Sequence, residues 1–212
     1  MDSNSKFTYW IRHGETAWNA LGRYQGHQDS PLTDLGRQQA IASARNLRDR
    51  GITRLYSSPL RRAFETAEIF AEVLKLKRVH ADERLREIGY GEWEGLTQEE
   101  VRSRWPELLK AWKRTPHLAA IPGAESLQSA RSRLLDFSQD ASHWSNHKDV
   151  VSVITHAGCI RILHLERRHI GLAAFRTVHV PPASIWPMAM DESFRSSATP
   201  ILGKGFSICA SL

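Results

Sequence analysis

Cysteine is nearly absent from the 212 residues: Cys159 lies in an apolar stretch and Cys209 near the end. Two cysteines so placed give neither a disulfide framework nor a metal-ligand spacing, so two free thiols are expected. Runs of about eighteen apolar residues, the length that spans a bilayer, are also missing. The opening MDSNSKFTYW lacks the charged, apolar and small-residue succession of a secretory signal. A soluble, cytoplasmic chain without membrane association is the expectation. There is no internal repeat and no low-complexity tract.

Charge of one sign is in excess, at +6, but it is not clustered. Arg45, Arg48, Arg50, Lys75, Lys77 and Arg78 are interleaved with Asp49 and Glu72 along apparent helices, as on a solvated helix face. No basic stripe accompanies Trp93, Trp105, Trp112 or Trp144, which suit core or helix packing better than base stacking. A nucleic-acid partner is therefore not expected, and the excess charge suits a small anionic substrate.

With 41% hydrophobic residues, the chain suffices for one sizeable core. Three short apolar segments end at polar residues: Phe7 to Ile11 before Arg12-His13-Gly14, Arg54 to Tyr56 before Ser57-Ser58-Pro59, and Val150 to Ile154 before Thr155-His156-Ala157-Gly158. Each reads as a buried strand feeding a turn. Between them, Leu60, Ala63, Phe64, Ala67, Phe70, Ala71 and Leu74 share one helix face, with Ser58 as expected N-cap and Pro59 at the first helical position. Thr97 and Glu100 form a capping-box pattern for a helix through Val101, and Pro106 opens another toward Trp112. Residues 115–125 read as a loop and 126–144 as a helix. Alternating strands and helices predict an α/β fold with a mostly parallel sheet, whose ligands bind beyond the carboxyl ends of the strands. One domain over 1–212 is expected, with about 96–146 as a helical insertion or cap over the site. Beyond Pro181-Pro182 the pattern weakens, and the polar run from Asp191 to Thr199 reads as a hairpin turn or a loosely held tail.

Arg12-His13-Gly14-Glu15-Thr16 places an imidazole, a guanidinium and a permissive glycine backbone at one strand end. Arginine offers a planar fork of donors suited to phosphate oxygens, and glycine admits close backbone approach. Arg62 falls in the first turn of the helix after Pro59, where unpaired amides and the helix dipole favour an anion, whereas Arg61 reads as a surface residue. His156 follows the most hydrophobic strand and precedes the small pair Ala157-Gly158. Each also has a bland reading, as a polar turn, a surface arginine or a buried structural histidine. His143 and His147, four apart, lack the glutamate of a zinc-protease pattern and are assigned no metal. His27, His164, His169 and His179 are left as structural.

Together, the segments RHGETAWN, GRYQGHQDSPLTDLGRQQA, SSPLRRAFETA, LREIGYGEWEG and ITHAG resemble the histidine phosphatase superfamily, in the branch related to cofactor-dependent phosphoglycerate mutases. The resemblance runs from Tyr9 to about Arg161. It implies a three-layer, phosphoglycerate mutase-like α/β sandwich and a metabolite phosphatase that needs neither metal nor other cofactor. It implies His13 as nucleophile, Arg12, Arg62 and His156 around the phosphoryl oxygens with help from Asn19, Glu87 as proton donor, and Gln25 and Gly26 lining the substrate pocket. The chemistry is consistent with those roles. Only a neutral histidine attacks phosphorus, and neighbouring guanidiniums disfavour its protonation while offsetting phosphoryl charge, the work a metal ion does elsewhere. A carboxylic acid beside a phosphate dianion is favoured in the protonated form needed to donate to a leaving alcohol. Glu92 and Glu94 are rival carboxylates that spacing does not separate from Glu87.

Two departures from the branch stand out. Pro122-Gly123-Ala124-Glu125-Ser126 carries alanine where relatives often have a second glycine, and Pro181-Pro182-Ala183-Ser184 occupies a place where an asparagine often precedes the final strand. The Glu87 to Gly95 segment resembles the phosphatases rather than the mutases, and the chain is shorter than typical mutases of the family. Hydrolysis of a small phosphate ester is thus expected, phosphoserine and α-ribazole phosphate leading, ahead of mutase-type transfer or a catalytically weak phospho-ligand-binding regulator. A homodimer through an apolar edge strand is compatible with the pattern, which does not locate that strand.

Overall fold

A computed structural model describes residues 7–144 and 149–189, with side chains from 141 to 144 and those of Phe7 and Ala189 left aside. Cys209, the tail from Asp191 to Thr199 and the His143/His147 pair lie outside what it describes. The three anticipated strands form as β1 (Phe7–Arg12), β2 (Arg54–Ser57) and β4 (Val151–Thr155). They are joined by β3 (Val79–Ala81) and β5 (Ile185–Ala189) in one sheet of order β3-β2-β4-β1-β5. Every pairing is parallel except that of β5 with β1. The sheet places β1 beside β4 with Arg12 opposite Thr155, so His13 and His156 emerge side by side at one end.

Period-two alternation divides the strand side chains between two cores. Tyr9, Ile11, Leu55, Ile154 and Ile185 face α2 (Asp34–Arg45) and α3 (Arg61–Leu74), packing with Ala40, Ala44, Ala63, Ala67 and Phe70. Trp10, Tyr56, Val151, Val153, Trp186 and Met188 face the other way. They meet α6 (Leu127–Trp144) and α7 (Ala157–Arg167) through Leu134, Phe137, Ile160 and Leu163. The same core takes in Val101 of α4 (Gln98–Arg104) and Trp112 of α5 (Pro106–Arg114). The result is an α/β three-layer sandwich. Trp93, Trp105 and Trp112 pack in or against this core as expected.

Local sequence explains most element ends. Thr97 and Glu100 close the predicted capping box of α4, and Pro106 stands at the first position of α5. The loop from Thr115 contains a short 3-10 turn, Pro116–Leu118. The expected start of α3 is corrected: its N-cap is Leu60, two residues after Ser58. Ser58 instead accepts the Leu60 N–H on Oγ, which holds the chain extended before the helix begins. The weak pattern after Pro182 conceals β5. Ala183 adopts a left-handed φ of 53°, a conformation that costs alanine roughly 1–2 kcal/mol and asparagine less. Three bonds hold it there: its N–H donates to His13 O, its carbonyl accepts from Ser43 Oγ, and Ser184 O accepts from Arg12 N.

The loop after β1 rests directly on the start of α2. A Cβ at Gly14 would stand 2.3 Å from the Gly36 carbonyl oxygen, and one at Gly36 would stand 2.1 Å from that of Glu15. Thr33, the N-cap of α2, donates its backbone N–H to Glu15 O and its hydroxyl to Glu15 Oε1. Backbone on backbone leaves no flexible atom to yield. Gly36→Ala is therefore expected to lower the free energy of unfolding in urea by about 1–3 kcal/mol; an unchanged denaturation midpoint would show that the two backbones are not in contact.

Candidate active site

His13 leaves β1 with its backbone fixed on two sides, N–H to Thr155 O and C=O from Ala183 N. Its ring is 2% exposed. Nδ1 is 2.7 Å from Gly14 O, and because a carbonyl only accepts, Nδ1 carries the proton. Nε2 is then a lone pair, and Arg62 Nε–H donates to it at 3.3 Å. Gly14 N–H in turn donates to Thr66 Oγ1, one turn along α3 from Arg62. Burial, then Arg62 and Arg12, hold His13 well below the ordinary imidazole value, outweighing the Gly14 carbonyl. Neutral His13 thus presents one unprotonated nitrogen, Nε2.

Arg62 is fully buried. Besides His13 it donates to Gln28 O, Asp29 Oδ1 and Gly26 O. Gly26 has a φ of 56°, and a Cβ there would meet the Glu94 carboxylate at 2.0 Å. Glu94 accepts from the backbone N–H groups of His27, Gln28 and Tyr90, clamping this loop to the next. One expectation is corrected here. The first amides of α3, expected to be unpaired and open to an anionic ligand, are occupied by the Asp29 carboxylate, which accepts from Arg61 N and Arg62 N. Arg61 itself is exposed, as anticipated.

Arg12 donates through Nη1 to Val180 O, and its Nε–H is buried without a partner. Burial, opposed by Glu87, then Arg161 and Arg62, pushes its guanidinium down to about 10, still charged at neutral pH. His156, the N-cap of α7, is completely buried, its ring centroid 5.1 Å from that of His13. Its Nε2 meets Ser58 Oγ at 2.8 Å, whereas its Nδ1 is buried with no partner. Burial, then Arg62, His13, Arg133 and Arg12, keep this imidazole neutral too.

Glu87 is 8% exposed and lies against the start of α7, where Gly158 N–H donates to Oε2 and Ile88 N–H to Oε1. A Cβ at Gly158 would stand 2.4 Å from Oε1, which is why a glycine follows His156-Ala157. The rival carboxylates separate physically: Glu94 is consumed by three backbone amides and Glu92 is exposed. Asn19 closes the capping box of the short helix α1 (Ala17–Ala20), its Oδ1 accepting from Thr16 N. Gln25 is buried with its Oε1 unpartnered. His27, left as structural, touches the Glu87 carbonyl with Nε2.

Sequence reading gives no task to Asp29 or Arg133, and a different one to Glu94 and Ser58. From α6, Arg133 donates to the carbonyls of Arg84, Arg86 and Glu87, while Glu125 accepts from its Nε and Nη2. It fixes the segment that carries Glu87. A lone arginine on a helix gives no sequence signal of such a task. Among the described residues no group of three His, Cys, Asp or Glu is disposed to hold a metal ion, and no helix is long and apolar enough to cross a membrane.

The sequence model described as "Histidine phosphatase superfamily (branch 1)" matches residues 8–197. The chain belongs to the histidine phosphatase superfamily, branch 1. This histidine phosphatase is 34% identical over 184 residues to phosphoserine phosphatase 1 of Hydrogenobacter thermophilus, covering 86% of this chain and 85% of that one. Among solved structures it is similar to Bacillus stearothermophilus YhfR, with a TM-score of 0.81, 33% identity and coverage of 86% and 90%. It is also similar to the α-ribazole phosphatase of Shigella flexneri, with a TM-score of 0.76, 26% identity and coverage of 85% and 89%.

The lowered basicity of both histidines has a measurable consequence. Below pH about 6.5 the unfolded chain binds protons that native His13 and His156 refuse, so stability falls as pH drops from there toward their native values. Each adds a slope approaching 1.4 kcal/mol per pH unit, about one proton's worth. Urea unfolding between pH 7.5 and 5 is expected to show this, with a shallower slope in His156→Asn. Equal slopes in the two proteins would mean that His156 is protonated in the native state.

Proposed function

We propose that this histidine phosphatase is a metal-independent phosphomonoesterase that takes the phosphoryl group of a small metabolite onto His13 Nε2. The observation that carries the reading is the tautomer of His13: Gly14 O holds the proton on Nδ1, leaving the Nε2 lone pair beside the guanidinium of Arg62. Around it, Arg12 Nε–H and His156 Nδ1 are buried polar atoms without protein partners. Buried donors of this kind are costly unless a ligand uses them, and phosphoryl oxygens are acceptors.

In the first step Nε2 attacks phosphorus and the bond to the ester oxygen breaks. Glu87, as the carboxylic acid, gives that oxygen its proton. As Nε2 turns from Arg62 to phosphorus, the Nε–H of Arg62 is released to a phosphoryl oxygen. Arg12, Arg62 and His156 then face charge on the phosphoryl group, the electrostatic part of catalysis that positioned cations supply. In the second step water attacks the phosphohistidine, the P–N bond breaks, and the Glu87 carboxylate takes the water's proton. Asn19 assists in holding the phosphoryl oxygens, and Gln25 and Gly26 line the substrate pocket.

The names of the relatives support phosphoserine and α-ribazole phosphate as the first substrates to try, with sugar phosphates and 3-phosphoglycerate beside them. Phosphate release in EDTA is expected on at least one of these and is expected to vanish in His13→Ala. Glu87→Gln is expected to slow turnover about 10²–10⁴-fold, the usual worth of a general acid, while phosphate still binds. Activity that survives loss of His13 contradicts the nucleophile, and unchanged turnover in Glu87→Gln contradicts the proton donor. Transfer between phosphoglycerates without net release would favour the mutase reading, and ligand binding with no turnover would favour a regulator.

A further inference from the structure

The geometry points to Ser58 as a positioning residue that fixes the tautomer of His156, so that Nδ1–H of that ring is aimed at the phosphoryl group. The inference deepens the phosphatase reading and rests on it.

Ser58 is the residue expected to cap α3, a task that fell to Leu60. Its hydroxyl does something else. Ser58 and His156 are both fully buried, so every hydrogen on either must be accounted for within the protein or by a ligand. The backbone of Ser58 is fixed by its N–H to Ile154 O and by Ser57 Oγ–H to its carbonyl. One lone pair of Ser58 Oγ accepts from Leu60 N at 3.2 Å, and the same oxygen lies 2.8 Å from His156 Nε2.

A neutral imidazole has one N–H, and a serine hydroxyl has one hydrogen. Two arrangements are open. If His156 Nε2–H donated to Ser58, the hydroxyl would accept twice and its own hydrogen would lose the Nε2 acceptor. His156 would then present a bare lone pair at Nδ1 toward an anion. If Ser58 O–H donates to Nε2 instead, the Leu60 amide, the hydroxyl and Nε2 are all satisfied. Only Nδ1–H is left over, and it is the buried atom without a partner. An acceptor oxygen of the phosphoryl group completes it.

The two histidines are thereby held in complementary forms by neighbours of opposite capacity. A carbonyl, which only accepts, puts the proton of His13 on Nδ1 and frees Nε2 to attack. A hydroxyl already accepting an amide donates to Nε2 of His156 and puts the proton on Nδ1. Exchanging either neighbour would give two acceptors or two donors where one of each is required.

The test reads the tautomer directly, by ¹⁵N NMR of the full chain without substrate, with the His156 signals assigned by their loss in His156→Asn. Wild type is expected to show His156 protonated on Nδ1; protonation on Nε2 overturns the inference whatever ester the enzyme hydrolyses. In Ser58→Ala, with folding checked by thermal melting, the proton is expected to redistribute toward Nε2. Affinity for orthovanadate is expected to fall about tenfold to a hundredfold, as for loss of one hydrogen bond to a charged group. A fall in affinity with the tautomer unchanged, or no fall at all, overturns it. Should Ser58→Ala not fold, the wild-type spectrum alone decides. Absence of phosphate release from any ester, with the tautomer as expected, would count against the function and not against Ser58.

Discussion

A guanidinium buried as completely as that of Arg62 must find an acceptor for nearly every N–H, because an unpaired charge-bearing donor away from water is among the most expensive features a fold can carry. That demand organises the site. Two carbonyls and one carboxylate come from the chain just after the first motif, and the fourth acceptor is the His13 imidazole within it. The loop over residues 25–29 is therefore tied to α3 and to His13 by one side chain. Its far side is tied to residue 90 by Glu94. The cage around Nε2 of His13 is built by satisfying the arginine.

The same low-dielectric enclosure sets the protonation states. Two buried imidazoles beside the guanidiniums of buried Arg62 and half-buried Arg12 remain neutral because adding a proton would add a buried positive charge next to existing ones. Neutrality means that each ring has one donor and one acceptor face. Which face is which then depends on single neighbours. Glycine enters for a related reason, since Gly14, Gly36 and Gly158 each lie where a side-chain atom would meet backbone or the Glu87 carboxylate.

Much of this was legible in the sequence, and the legible part has a common cause. Strand ends before Arg12-His13, Ser57-Ser58 and Thr155-His156 show as short apolar runs because both faces of those strands are buried, and the Thr97 capping box shows because its chemistry is local. What was not legible depends on partners far apart in the chain. Asp29 caps a helix more than thirty residues away, and Arg133 reaches carbonyls nearly fifty residues before it. Neither has a local pattern. Strand β5 was hidden for another reason. It contains Pro187, which has no N–H to give a ladder and so argues against a strand, and among the described strands it pairs with only one neighbour, β1. Ser58 was noticed for the wrong task, because a serine before a helix looks the same whether its hydroxyl caps an amide or orients a histidine.

In the proposed mechanism the phosphoryl group passes through Nε2 of His13, the nitrogen that Gly14 leaves unprotonated. Rapid quenching of the enzyme with a turned-over ester, followed by ³¹P NMR of the denatured protein in base, identifies the phosphorylated atom. A base-stable, acid-labile phosphoramidate on Nε2 of His13 is expected. Phosphorus on Nδ1, or on any residue other than His13, would contradict it.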